Sequence, residues 1–145
     1  MTRGEMPTWG TLNLEIYPTR HERLGRFTIW LTTAYHTDSF EALAWERPLL
    51  MPHDKLEELL LLYGLAGIAQ GFAYAHNLLW QEISPGDVKR ALTGMAQAPK
   101  GQKIDKKMMV AAAYKLGWEV LDHHQADALG VGLCAYSAIW PKVAA

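Results

Sequence analysis

The sequence predicts an α/β fold, because short strand-like runs alternate with longer runs of helical period, and most of the helical runs open on a recognisable cap. Its 145 residues point to a single domain over positions 1–145, with no internal repeat, low-complexity tract or linker to divide it. Half of the residues are hydrophobic and a fifth are charged, which excludes a wholly disordered or collagen-like chain.

Each element has its own justification. Thr11 to Ile16 alternates, with Leu12, Leu14 and Ile16 on one face and Asn13 and Glu15 on the other, the pattern of a half-buried strand. Pro18 opens a helix whose apolar stripe is Leu24, Phe27, Leu31 and Ala34 or Tyr35, and polar His36 to Ser39 ends it. Phe40 to Trp45 reads as a strand covered on both faces, running into Glu46 and stopped by Pro48. Asp54 is placed to cap a long helix reaching about His76, with Gly64, Gly67, Gly71 and Ala75 forming a groove along one side.

Asn77 to Ile83 is the next strand. Ser84 then takes the N-cap and Pro85 the first helical position, with Asp87 in the first turn and Gly94 as the stop. Met95 to Lys103 reads as a loop. Asp105 caps a helix ending near Gly117, and Asp122 with Gln125 makes a capping-box pattern for a last helix running to about Trp140.

The composition also excludes classes of function. A formal charge of −1 gives no overall basic field. The single cysteine, Cys134, excludes a disulfide framework and a multi-cysteine zinc site, and it suits a reducing interior. The opening residues hold no apolar stretch of signal-peptide type. Leu59 to Ala69 is unbroken and apolar, but Glu57, Glu58 and Gln70 bound it well short of the roughly 18–20 residues of a span. It and the run from Ala126 are expected to be buried helices of a soluble protein with no membrane partner.

Three features carry possible chemistry. Lys89, Arg90, Lys100, Lys103, Lys106 and Lys107 crowd into positions 89–107 against Asp105 alone, a local +5 in a chain of net −1. Such a cluster suits backbone phosphates, and equally a solvated lysine-rich surface. His124 and Asp127, three apart, share a face of the last helix, as do His123 and Asp127 at four apart. A carboxylate with an imidazole can hold Mg²⁺ or Mn²⁺ and manage a proton, although carboxylates also favour helix starts for dipole reasons. Glu46 ends a strand, where α/β folds place chemistry, or simply pairs with Arg47.

Taken in order, these features resemble the RuvC-type Holliday junction resolvases of the ribonuclease H-like superfamily. In that family a strand ends in a catalytic Glu, matched by Glu46 in LAWERP. A strand-to-helix segment S/P-x-x-V-K-x-x-x-T-G is matched from Ser84 to Gly94, and a lysine-bearing helix start by IDKKMM, with Lys106 as its lysine. A D/H-x-x-D-A-L helix is matched by His124, Asp127, Ala128 and Leu129. The resemblance spans about positions 9 to 140, and the agreement of order and spacing is what carries it.

The resemblance implies a three-layer α/β/α fold with a mixed sheet and a metal-dependent, structure-selective endonuclease acting on branched DNA such as four-way junctions. It implies Glu46, His124 and Asp127 as catalytic and metal-binding residues, Mg²⁺ or Mn²⁺ as cofactor, and the six cations at 89–107 as DNA contacts. A homodimer follows from the two-fold symmetry of a junction, and a cytoplasmic setting, bacterial or phage-encoded, is expected. The loop between Gly94 and Lys106 is longer than the family's.

One departure is larger. Family members begin with a strand ending in Asp-x-Gly whose Asp is the central metal ligand, and here no Asp precedes Asp38. Thr11 to Ile16 would correspond to the third strand of the family's sheet, so the first two are expected to be missing or reduced, in a chain that starts late or is degenerate. A non-catalytic branched-DNA-binding protein of the same fold is the alternative, and an α/β protein without a nucleic-acid role the third reading.

Overall fold

The computed structural model describes residue 7 and residues 9–95 and 100–143. In chain order the elements are α1 (Arg20–Asp38), β1 (Ala42–Glu46), α2 (Leu56–Ala75), β2 (Leu79–Ile83), α3 (Pro85–Thr93), α4 (Lys106–Lys115) and α5 (His123–Val143). The two strands are parallel neighbours in one sheet. Among the described residues this is a helix-rich α/β arrangement, not the mixed sheet expected from the sequence. Two compact units divide the chain: one gathers α3, α4 and α5 with the strand ends Ala44–Glu46 and Gln81–Ile83, the other spans Leu12–Leu43 and Arg47–Trp80.

The first unit is built on caps that the sequence makes legible. The Ser84 hydroxyl accepts the Asp87 N–H at 3.2 Å, Pro85 follows it, and Gly94 ends α3 with φ 74. The Asp105 carboxylate accepts the Met108 N–H at 2.9 Å to start α4, and Gly117 turns the chain out of it with φ 83. At α5 the Asp122 carboxylate accepts the Gln125 N–H, while the Gln125 side chain reaches back to the Leu121 N–H, both at 2.9 Å. The reciprocal half of that box therefore lands one residue before the cap. Gln125 also donates to the Thr11 hydroxyl at 3.0 Å, so this buried amide is partnered on both sides. α5 runs on through Pro141 to Val143, past the expected stop at Trp140, because a proline removes one ladder bond without forbidding the turn.

These helices close over Ile83, Val88, Leu92, Met109, Ala113, Trp118, Val120, Ala126 and Leu129. α3 meets α5 at Gly130, where an added Cβ would lie 2.8 Å from Val88 Cγ1 and 3.2 Å from the Val88 carbonyl. A glycine there sets how close the two helices approach. The expectation that the run from Ala126 is buried holds, with Ala126, Leu129, Val131 and Ile139 all in the interior.

In the second unit α1 starts at Arg20, two residues after Pro18, because Thr19 and Glu22 form a complete capping box. It ends where Ser39 turns left-handed at φ 47 and donates its N–H to the Tyr35 carbonyl. The predicted stripe faces inward, and Leu31 is its fully buried member. α2 packs on α1 where Leu24 fills the space over Gly64, and Tyr35, Phe40, Phe72 and His76 form a ring cluster at their ends, with centroids 4.3–6.5 Å apart.

Four expectations are corrected here. Thr11 to Ile16 is not a strand: Asn13 accepts the Glu15 N–H, Tyr17 donates to the Leu14 carbonyl, and Ile16 is 69% exposed. Alternation makes a strand only where a neighbour offers a ladder. β1 is half-buried, not covered on both faces. Asp54 closes a turn by accepting the Met51 N–H at 2.8 Å, and α2 begins at Leu56 after Lys55, without a side-chain cap. Finally, α2 is not a buried helix. Only Ala69 and Ala73 are buried along it, since α1 covers one side alone, and Gly67 and Gly71 face open space. By length and composition α2 is also long and apolar enough to cross a membrane, a threshold the shorter unbroken run does not reach.

The glycines give a contrast in stability. Gly130→Val is expected to destabilise the chain by about 1–3 kcal/mol through overpacking. Gly25→Ala, in α1 with nothing near its added Cβ, is expected to stabilise it by about 0.5–1 kcal/mol. Urea unfolding of the two variants beside the parent checks both signs.

Candidate functional site

Element ends assemble the site. Glu46 is the last residue of β1, Lys106 the first of α4, and His123, His124 and Asp127 lie in the first turns of α5. Lys89 follows buried Val88 on α3, whose cap is the residue immediately after β2. Rigid elements thus carry all six side chains, and the core of the first unit holds those elements together.

The electrostatics show which of them meet. Burial pushes the Glu46 carboxyl above its ordinary value, the Asp127 charge pushes it further, and the Lys89 ammonium partly opposes this. Burial likewise raises Asp127, against the pull of His123, His124, Lys89 and Lys106. Two carboxylates 81 positions apart in the sequence are therefore within electrostatic range of each other and of Lys89, with Lys106, His123 and His124 also acting on Asp127. Of the three residues expected to converge, Glu46 lies within electrostatic range of Asp127, and His124 within range of Asp127.

The two histidines differ. His124 is exposed, whereas His123 is half-buried and lies against it with ring centroids 3.9 Å apart. Burial lowers the His123 pKa, and neighbouring His124 and Lys106 lower it further, against the opposing pull of Asp127 and Asp122. His123 is the member that the family pattern passes over. The i, i+4 spacing to Asp127 is the sequence signal for it.

The basic cluster separates as well. Lys89 and Lys106 belong to the site. Lys107 lies beside Lys106 on the rim of a groove between α4 and the start of α5. Arg90 instead pairs with Asp87 of its own helix at 3.1 Å. Lys100 and Lys103 are exposed and interact electrostatically with neither Glu46 nor Asp127. One contact has no precursor in the sequence reading: the Trp45 indole N–H donates to Glu82 at 3.2 Å, fastening β1 to β2 beside Glu46.

Among the described residues no three His, Cys, Asp or Glu side chains are grouped closely enough to hold a metal by themselves. Two neighbouring carboxylates do suit a single Mg²⁺, which takes one or two protein carboxylates and fills its octahedron with water and phosphate oxygens. They do not suit a closed cage or a pair of ions. The donor set fits one ion that arrives with a phosphate.

Neighbouring carboxylates with raised pKa values cost stability when ionised. At these two groups the folded state binds protons more tightly than the unfolded chain, so their contribution to stability is most favourable below the ordinary carboxylate range and falls as pH rises through the raised values. Glu46→Gln and Asp127→Asn are therefore expected to raise the melting temperature at pH 7, and the gain should vanish near pH 3. Thermal unfolding at the two pH values reads both.

No protein-family model matches the sequence, and no characterised protein matches it in sequence. Solved structures do match in shape. The structure of Thermus thermophilus RuvC superposes with a TM-score of 0.62 at 23% identity, covering 84% of this chain and 72% of that one. T. thermophilus RuvC in complex with Holliday junction substrate superposes with a TM-score of 0.58 at 21% identity, covering 84% and 73%. The chain therefore has a RuvC-like fold, consistent at a coarse level with the ribonuclease H-like architecture.

Proposed function

We propose that this chain is a metal-dependent, structure-selective nuclease of branched DNA, resembling Holliday junction resolvases in a three-layer ribonuclease H-like framework. The observation that carries the reading is that Glu46 and Asp127 lie within electrostatic range of each other and of Lys89, with Lys106 acting on Asp127, where the end of β1, the middle of α3 and the starts of α4 and α5 come together. Paired carboxylates flanked by lysines suit a phosphodiester, whose negative charge must be both held and neutralised. The likeness to RuvC structures, one with a Holliday junction bound, agrees with it.

In this reading Lys89 and Lys106 hold phosphates on either side of the bond to be cut. Glu46 and Asp127 hold a Mg²⁺ or Mn²⁺ ion, which supplies charge neutralisation and an activated water when bound. The His123 imidazole, with His124 beside it, accepts the proton that the attacking water loses. Selectivity comes from the shape of the branch, since phosphate contacts position without specifying sequence. A homodimer suits the two-fold symmetry of a four-way junction, and the exposed apolar face of α2, with Leu56, Leu60 and Tyr63, is the surface assigned to it. The protein is assigned to the cytoplasm.

A non-catalytic branched-DNA-binding protein is the second reading, and the absence of a three-donor group among the described residues favours it. Two carboxylates and an imidazole hold the second of two ions weakly. This 145-residue chain is accordingly expected to nick a four-way junction very slowly or not at all in Mg²⁺. Added residues that pair a strand bearing Asp-x-Gly with β1 should raise the rate. Brisk cleavage by the chain as it stands, abolished in Glu46→Gln and Asp127→Asn, would show that another residue completes the site.

Binding is tested separately from cleavage. Replacing Lys89 and Lys106 together with Ala is expected to weaken junction binding and to lower its salt slope by roughly 1–2 units, as two phosphate contacts are lost. Affinity unchanged across a salt series would leave the positive cluster as a solvated surface.

A further inference from the structure

A groove of about 430 Å³ opens between α4 and the start of α5, next to the carboxylates. One stripe of α4 lines it, with Lys106 and Lys107 at one end, Val110 and Ala111 along the floor and Tyr114 at the other end; His123 forms the opposite wall. Asp122 also lines it, but its carboxylate is engaged in capping Gln125. Tyr114 is 53% exposed, and its hydroxyl lies 3.4 Å from the Val120 carbonyl, tethering the tip of the ring.

The chemistry at the two ends is different. The lysine end is cationic and continuous with the site, since Lys106 acts on both His123 and Asp127. The far end is aromatic and apolar. At 1.5 Å rise per residue the two ends are about 12 Å apart along the helix, room for one nucleotide with its phosphate on the lysines and its base on the ring. A basic track with an aromatic platform is how proteins hold unpaired strands, because every base has a π-face.

We infer that the α4–α5 groove is a subsite for one unstacked nucleotide of the bound DNA, its base against Tyr114 and its phosphate against Lys106 and Lys107. The inference rests on the proposed DNA-binding reading and deepens it. A base inside a duplex hides both faces in the stack, so only an unpaired or splayed nucleotide at a branch can enter. The groove thereby supplies a preference for branched over linear DNA that the lysines alone do not.

The experiment measures binding of the full chain to a four-way junction, a single strand and a linear duplex across a salt series, for the parent and for Tyr114→Phe, Tyr114→Leu and Tyr114→Ala. The Leu and Ala variants should bind junction and single strand about tenfold more weakly, the loss of one base–aromatic stack. Duplex affinity and salt slope should not change, and the Phe variant should match the parent. Equal loss on all three DNAs, a changed slope, or no loss in the Leu and Ala variants overturns the subsite while leaving the DNA-binding reading in place. Absence of salt-dependent binding by the parent overturns both. Displacement of the junction by a free mononucleotide at equal nucleotide concentration would assign the groove to a soluble nucleotide and overturn the inference as stated.

Discussion

Glu46 and Asp127 repel each other, and the fold holds them together all the same. Both carboxylates are partly desolvated, and the Asp127 charge raises the cost of ionising Glu46. The core of the first unit, from Ile83 and Val88 through Met109 to Ala126 and Leu129, supplies the stability that permits this. Gly130 contributes by letting α3 approach α5 closely. Lys89 offsets the two like charges only in part, since both carboxyls stay above their ordinary values, and a cation accompanied by a phosphate has the right charge to complete the compensation.

The parts of this arrangement that were legible in the sequence are those set by local chemistry. Ser84–Pro85, Asp105 and Asp122 announce their helix starts because a side-chain oxygen must accept an otherwise unpartnered N–H. Glu46 and Asp127 could be singled out because both sit at element ends, where side chains escape the core. What failed depended on partners distant in sequence. The alternation of Thr11 to Ile16 needed a neighbouring strand, and the apolar run of α2 needed a covering surface. Local bonds also competed successfully in places: Asp54 closed a turn instead of capping α2, and Arg90 paired with Asp87 on its own helix. His123 was visible only as a spacing, since burial, which sets it apart from His124, is a property of the packed chain.

Two surfaces are left open among the described residues. The sheet has two strands, and parallel strands ordinarily lie inside larger sheets. α2 exposes Leu56, Leu60, Leu62 and Tyr63 along one helix.

Glu46 and Asp127 share one electrostatic environment with Lys89. Carbon-detected NMR titration of the Glu46 carboxyl tests it most directly, in the parent, in Asp127→Asn and in Lys89→Gln. Removing the Asp127 charge should lower the Glu46 pKa, and removing the Lys89 charge should raise it. A Glu46 titration that moves in neither variant would place the two carboxylates apart, and the site described here would not exist.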